Sequence, residues 1–352
     1  MNSGDIVRRS DPSHRFCFLV VVAALLYALP DSAFAGDPSL EVLSFVDVPN
    51  AGTIAFSPTE RETSVPEQFQ LKAHEFPFKT RPWFQNARVR TAVVTFPSPV
   101  ETAVPENNTV HAEYFQPSGK GPYPACVVLH ILGGDFLLSR TIANQLAQHG
   151  VAALFVKLPY YGERRSKNSP RRMISRIPTE AVEGMTQGVL DIRRAAAWLS
   201  ARPEVDAERL GITGISLGGI MTALSASAEP RFKNVAIYLG GGNLSKFLWA
   251  NPDPQAQEFR RKWLGDGRTK EDLDALVGKV DPVTYGHLLK GRRVLMVVAK
   301  NDEVVSPESG LALWESMGRE PKLVWLNAGH YSAVKYLPRE LVRMDLFFNG
   351  SQ

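Results

Sequence analysis

Only two cysteines occur in the 352 residues, Cys17 and Cys126, so a disulfide-stapled scaffold is excluded and stability must come from a packed core. Long hydrophobic runs are equally scarce: the most apolar stretch, residues 16–29, has 14 residues, short of the ~20 that a membrane-spanning helix needs. Charge of one sign is missing too. Forty Lys plus Arg stand against 36 Asp plus Glu, a net charge of +4, and the basic residues are scattered without interleaved aromatics, which leaves no nucleic-acid-binding signature. No propeller-type repeat precedes the regular part of the chain. What is abundant is core material, 44% hydrophobic against 22% charged residues, enough for one large core or two domains.

The first 35 residues have the layout of an export signal: Arg8, Arg9 and Arg15 precede the apolar run, and Ala33-Phe34-Ala35 supplies small residues for cleavage before Gly36. The expectation is a secreted or periplasmic protein with no stable membrane insertion after cleavage, an uncleaved anchor being the alternative. Cys17 would leave with this leader, and Cys126, inside the apolar run 125–129, reads as a buried small hydrophobe. The leader's arginines balance Asp5, Asp11 and Asp31, so the mature charge stays +4.

Residues 36–87 are rich in Pro, Phe and charge without sustained periodicity, apart from one short candidate strand at 41–46, and read as an N-terminal extension wrapped on the core. A regular domain is expected over 88–352. It opens with β-rich runs at 89–96 and 110–115, an antiparallel hairpin. Apolar runs at 123–132, 151–158, 210–215, 235–239, 293–299 and 322–326 then alternate with helical segments at 140–149, 179–201, 217–226, 308–317 and 338–348. In the second helix, Val182, Met185, Val189, Ile192, Ala196 and Leu199 recur at spacings of three and four, with Thr179 placed as N-cap. Continuous apolar runs suit parallel strands buried on both faces. The fold class is therefore α/β, a mostly parallel sheet with helices on both sides. Residues 243–290 interrupt the alternation and read as a helical cap insertion.

One motif carries chemistry. Gly214-Ile215-Ser216-Leu217-Gly218 is G-x-S-x-G, a pattern that chance supplies about once in ten chains of this length. Its position, directly between an apolar strand and a helix, exposes the serine on a sharp turn at the carboxyl edge of the sheet. A serine hydroxyl needs a base, and the base an orienting carboxylate. Only His287 and His330 follow Ser216; His330, on the loop after strand 322–326, is the expected base. Asp302, on the turn after strand 293–299, is the expected acid, with Glu303 its rival. The oxyanion donors are expected to be the N–H groups of Leu217 and Leu132, while His130 before the glycine pair shapes its loop. Tyr161, Arg164 and Arg165 could contact a polar or anionic substrate or form a solvated basic loop.

These segments resemble the α/β-hydrolase superfamily, and most the dienelactone hydrolase and acetyl-xylan-esterase-like branches. DIRRAAAWLSARPEVDAERLGITGISLGG is similar to their helix, strand and nucleophile turn, LHILGGD to their oxyanion loop, LPYYGERR to the next loop, and AKNDEVVSP and NAGHYS to their acid and base loops. Two departures stand out: Ile131 occupies a position where many relatives have Gly, and Ser216 a position where dienelactone hydrolases proper carry cysteine. Together with the leader, the resemblance implies a secreted serine hydrolase of a small-molecule or carbohydrate ester, working without metal or organic cofactor. The alternatives are a peptidase resembling the prolyl-oligopeptidase catalytic domain, and a non-catalytic binding protein on a hydrolase scaffold.

Overall fold

The computed structural model describes residues 45–134, 136–250 and 254–350. The export signal and most of the candidate strand at 41–46 lie outside them; Phe45 and Val46, which are described, are not in a strand. The strands are β1 (Ala51–Phe56), β2 (His74–Gln85), β3 (Val89–Pro97), β4 (Thr109–Pro117), β5 (Tyr123–Leu129), β6 (Ala152–Val156), β7 (Val205–Ile215), β8 (Asn234–Tyr238), β9 (Arg293–Ala299) and β10 (Lys322–Leu326). They form one ten-stranded sheet in the order β1-β2-β3-β4-β6-β5-β7-β8-β9-β10. The strands from β6 to β10 pair in parallel, and β1 to β4 form an antiparallel wing joined through β4 to β6.

The side-chain alternation of β5 shows why the run had to be apolar throughout. Ala125, Val127 and Leu129 enter one core and Cys126 and Val128 the other, all of them buried. The first core is covered by helices α2 (Pro178–Ser200) and α3 (Leu217–Ala228), the second by α1 (Leu137–Gln148) and α9 (Leu337–Asn349). α2 starts one residue earlier than its Thr179 signal: Ile177 is the N-cap and Pro178 takes the first helical position, where its missing N–H costs nothing.

Residues 36–87 do not simply wrap the core, because β1 and β2 lie within them and β2 pairs with β3 across the expected boundary at 87/88. In β2, Phe76, Phe78 and Thr80 point inward between exposed Glu75, Pro77 and Lys79, a period-two pattern masked by Pro77 and Pro82. Proline is tolerated there because β2 pairs on one side only at each, with β1 at Pro77 and with β3 at Pro82, and the register shifts between Pro82 and Phe84.

Between β8 and β9 the chain forms α4 (Leu244–Ala250), α5 (Pro254–Gly265), α6 (Lys270–Gly278) and the single turn α7 (Pro282–Tyr285). The first three pack around Trp263, Leu273 and Val277 in a small core of their own, while Val283 and Tyr285 of α7 pack against the main core. The Asp281 carboxylate accepts the N–H groups of Asn243 (3.1 Å), Leu244 (2.6 Å) and Val283 (3.0 Å), tying both ends of this segment together. The remaining helix, α8 (Pro307–Ser316), follows β9. Among the described residues no helix is long and apolar enough to cross a membrane.

Candidate active site

β7 ends at Ile215 and α3 begins at Leu217, so Ser216 alone makes the turn, at φ 58° and ψ −118°. A non-glycine residue in this region is strained and persists only when its surroundings over-determine it. Here the Ser216 N–H donates to Tyr238 O (2.9 Å) and the Ser216 carbonyl accepts the N–H of Ile220 (2.9 Å). The flanking glycines are steric necessities. A Cβ on Gly214 would lie 2.5 Å from the Gly218 carbonyl carbon, and one on Gly218 would lie 2.7 Å from Leu129 O and 2.9 Å from His130 O.

The two loops expected to supply base and acid converge on this turn. His330, after β10, places Nε2 2.9 Å from Ser216 Oγ, and its Nδ1 lies 2.8 and 3.0 Å from the two Asp302 oxygens. Asp302, after β9, is buried, and its Oδ1 also accepts the N–H groups of Val304 (2.9 Å) and Val305 (2.7 Å). The carboxylate therefore shapes its own loop while it holds the imidazole. Bonded to a carboxylate, Nδ1 carries the proton, which leaves the Nε2 lone pair facing the serine hydroxyl.

Glu303 is not a second acid. Its Oε2 accepts the backbone N–H of His330 (3.0 Å) and fills the space that a Cβ on Gly329 would need, 2.5 Å away. The Asp-Glu pair thus holds the histidine twice, ring by one carboxylate and main chain by the next. The sequence signal was the adjacency of two carboxylates on the turn after β9, whose division of labour only the loop geometry reveals. His287 is exposed on a short 3-10 turn of the segment between β8 and β9, well separated in sequence and element from this arrangement.

On the neighbouring loop after β5, Leu132 is 57% exposed, and Gly133 and Gly134 adopt positive φ of 99° and 75°. His130 anchors that loop. Its Nε2 accepts the N–H of Leu158 (3.1 Å), so Nδ1 is the protonated nitrogen and donates to Ile131 O (2.8 Å). Burial pushes His130 down to about 4, which keeps the ring neutral in this structural role. Leu217, the first residue of α3, has no intrahelical acceptor for its N–H, which lies at the positive end of the helix dipole beside the serine.

The three residues of the following loop separate. Tyr161 packs its ring 4.6 Å from that of His130 and 3.2 Å from the position of a Cβ on Gly134; burial pushes its hydroxyl up to about 12. It buttresses the Leu132 loop. Arg165 is exposed. Arg164 is fully buried, which removes it from any contact with substrate: its guanidinium bonds Asp191 (2.8 Å), Asn107 O (2.8 Å) and Lys157 O (3.1 Å). The correction has a simple cause. Arg164 and Arg165 are alike in sequence, and the counter-ion that draws one inward comes from α2, 27 residues away. Among the described residues no group of three or more His, Cys, Asp or Glu is placed to hold a metal ion.

A sheet of this topology, with a strained serine between strand and helix and histidine and aspartate on the loops after two later strands, defines an α/β hydrolase. More narrowly, the chain belongs to the family described as alpha/beta hydrolase domain containing 18, whose model matches residues 60–240. The prolyl oligopeptidase family model matches residues 185–337. Among curated proteins, an uncharacterised protein of Mycobacterium tuberculosis is 28% identical over 173 residues, 48% of this chain and 39% of the relative. A protein of Methylorubrum extorquens that carries the provisional name carboxymethylenebutenolidase is 28% identical over 170 residues, 47% of this chain and 57% of the relative. The chain thus spans about two fifths to just over half the length of these relatives. Among solved structures, acetyl xylan esterase 1 from Thermoanaerobacterium sp. JW/SL YS485 has the same fold, with a TM-score of 0.59 at 20% identity over 76% of this chain and 87% of that one. The acetyl xylan esterase from Paenibacillus sp. R4 gives a TM-score of 0.60 at 17% identity over the same shares.

Proposed function

We propose that this hydrolase cleaves carboxylic esters through an acyl-serine. The observation that carries the reading is the continuous hydrogen-bonded chain from Ser216 Oγ through His330 to Asp302. In the reaction, Oγ attacks the ester carbonyl carbon as its proton passes to His330 Nε2, and the N–H groups of Leu217 and Leu132 receive the oxyanion. Collapse breaks the bond to the alcohol, which leaves with the proton from His330. Water then adds to the acyl-serine by the same route, releasing the acid and restoring Ser216. Asp302 holds the tautomer that makes Nε2 a base.

An ester borne on a carbohydrate is the substrate class we favour, supported by the shared fold with two proteins whose names specify acetyl xylan. Of the three candidates on the loop after β6, exposed Arg165 is the one left for contact with a polar substrate. We further propose export through the 1–35 leader, with a mature chain beginning at Gly36 and a hydrolase domain that takes in β1 and β2. Reaction mixtures of purified protein with p-nitrophenyl esters, acetylated xylan and Pro- or Ala-linked peptide anilides test the class. Ester turnover that vanishes in Ser216→Ala is expected. The match of the prolyl oligopeptidase model to residues 185–337 supports a second reading, and peptide turnover without ester turnover would establish it at the expense of the first.

A further inference from the structure

A concave, basic site lies on the edge of the sheet opposite Ser216. Ile215 and Tyr238, paired at the carboxyl ends of β7 and β8, mark the edge that bears Ser216, whereas Asn234 and Arg293 open β8 and β9. These ends are separated by the length of β8, about 13 Å at the usual rise per residue. Around Asn234 and Arg293 is a cavity of about 440 Å³ whose walls carry Arg61, Arg209, Lys233, Arg292 and Arg293 against one carboxylate, Glu208.

Neighbouring structure accounts for three of the five cations. Arg292 Nη1 donates to the carbonyls of Ala226, Glu229 (3.1 Å) and Phe232 (3.2 Å), closing the carboxyl end of α3. Arg293 donates to Phe347 O (2.6 Å), and Arg209 pairs with Asp206 (2.7 Å) and donates to Pro122 O (3.0 Å). Arg61 and Lys233 have no ion pair or side-chain hydrogen bond among the described residues, yet both face the same hollow. Burial, joined by the nearby charge of Arg61 and opposed by Glu229, pushes Arg292 down to about 10. Like charges gathered in a concavity repel one another, and the repulsion is relieved when an anion enters.

We propose that this hollow binds a small ligand carrying two or more phosphate or sulfate groups. Arg61 and Lys233 supply the direct charge contacts from its rim, and the already fixed Arg292 lies at its wall. The volume falls within the range of small-molecule sites and exceeds what one inorganic oxyanion fills, which favours a polyvalent ligand. Guanidinium forks suit such oxygens, while Lys233 acts as a point charge. The site is separate from Ser216, so its test does not depend on the hydrolytic reading.

Calorimetric titration of the full-length chain with pyrophosphate and with inorganic phosphate, at low and high NaCl, tests the assignment. One pyrophosphate per chain is expected, bound at least about tenfold more tightly than phosphate and weakened by salt. The Arg61→Ala/Lys233→Ala double variant should keep the wild-type circular dichroism and urea midpoint while losing at least about tenfold in affinity. Absence of saturable pyrophosphate binding would overturn the proposal, as would full affinity in the double variant. A third arm uses vesicles containing phosphatidylglycerol: binding that the Arg61→Ala/Lys233→Ala variant loses but that pyrophosphate fails to displace would assign the face to a membrane surface and refute the soluble ligand.

Discussion

Replacing Asp302 by asparagine should disable the enzyme without unfolding it, and the structure says which way the new amide must point. Oδ1 of Asp302 accepts the N–H groups of Val304 and Val305 at 2.9 and 2.7 Å, while Oδ2 lies 2.8 Å from His330 Nδ1. Two backbone donors demand an oxygen, so the side-chain carbonyl of the introduced asparagine stays where Oδ1 was and its NH₂ takes the place of Oδ2. That group is a donor set against Nδ1 in the shorter contact, and the retained carbonyl, 3.0 Å from Nδ1, is already shared by two backbone N–H groups; His330 Nδ1 therefore becomes the acceptor and the ring proton moves to Nε2, 2.9 Å from Ser216 Oγ. The imidazole then cannot take the serine proton. A wrong tautomer with intact geometry costs ~10⁴ in kcat, about 5 kcal/mol of barrier. Asp302→Ala should be equally inactive, and in addition leaves two amides without their acceptor, at about 1–3 kcal/mol each where water cannot replace it. Urea midpoints and kcat on a p-nitrophenyl ester separate the variants: Asp302→Asn near wild-type stability, Asp302→Ala less stable. An Asp302→Asn enzyme within tenfold of wild-type kcat would refute the tautomer argument.

Other perturbations probe the supports of the site. Gly218→Ala forces a Cβ against Leu129 O and His130 O at 2.7 and 2.9 Å; overpacking against main chain should cost about 1–3 kcal/mol in urea unfolding, and the displaced turn about 10² in kcat. Glu303→Ala removes the acceptor of the His330 N–H at a cost of about 1 kcal/mol, roughly fivefold in kcat, whereas Glu303→Gln should lose less; equal losses would contradict a role in holding the main chain. His130, pushed by burial from 6.5 to about 4, binds its proton less readily folded than unfolded. Its contribution is therefore complete above 6.5 and declines as pH falls towards about 4, on the order of 3 kcal/mol in all. His130→Gln should flatten that part of the pH dependence of the urea midpoint, and an unchanged slope would refute the assignment.

Much of this architecture is legible in the chain because it is dictated by burial. Parallel strands covered on both faces must be apolar throughout, so β5, β6, β8 and β9 announce themselves, and the G-x-S-x-G turn is placed by the strand before it and the helix after it. β1 and β2 are harder. One face of β2 is solvent-exposed and two prolines break its pattern, and nothing local says that each proline will fall where the strand is paired on one side only. The site divides in the same way. Ser216, His330 and Asp302 follow strand ends, and strand ends are visible; the separate tasks of Asp302 and Glu303 depend on loop geometry. Arg164 and Arg165 differ only in a long-range partner, Asp191, that draws one into the core. Such pairings are set by tertiary contact, which no local pattern encodes.

The central claim, that Ser216 is a nucleophile activated by His330, is tested most directly by intact-mass spectrometry of the purified protein after exposure to a fluorophosphonate. The account predicts a single adduct on Ser216, absent in Ser216→Ala and strongly slowed in Asp302→Asn. Folded wild-type protein that takes up no label, or that is labelled equally in Ser216→Ala, would contradict it.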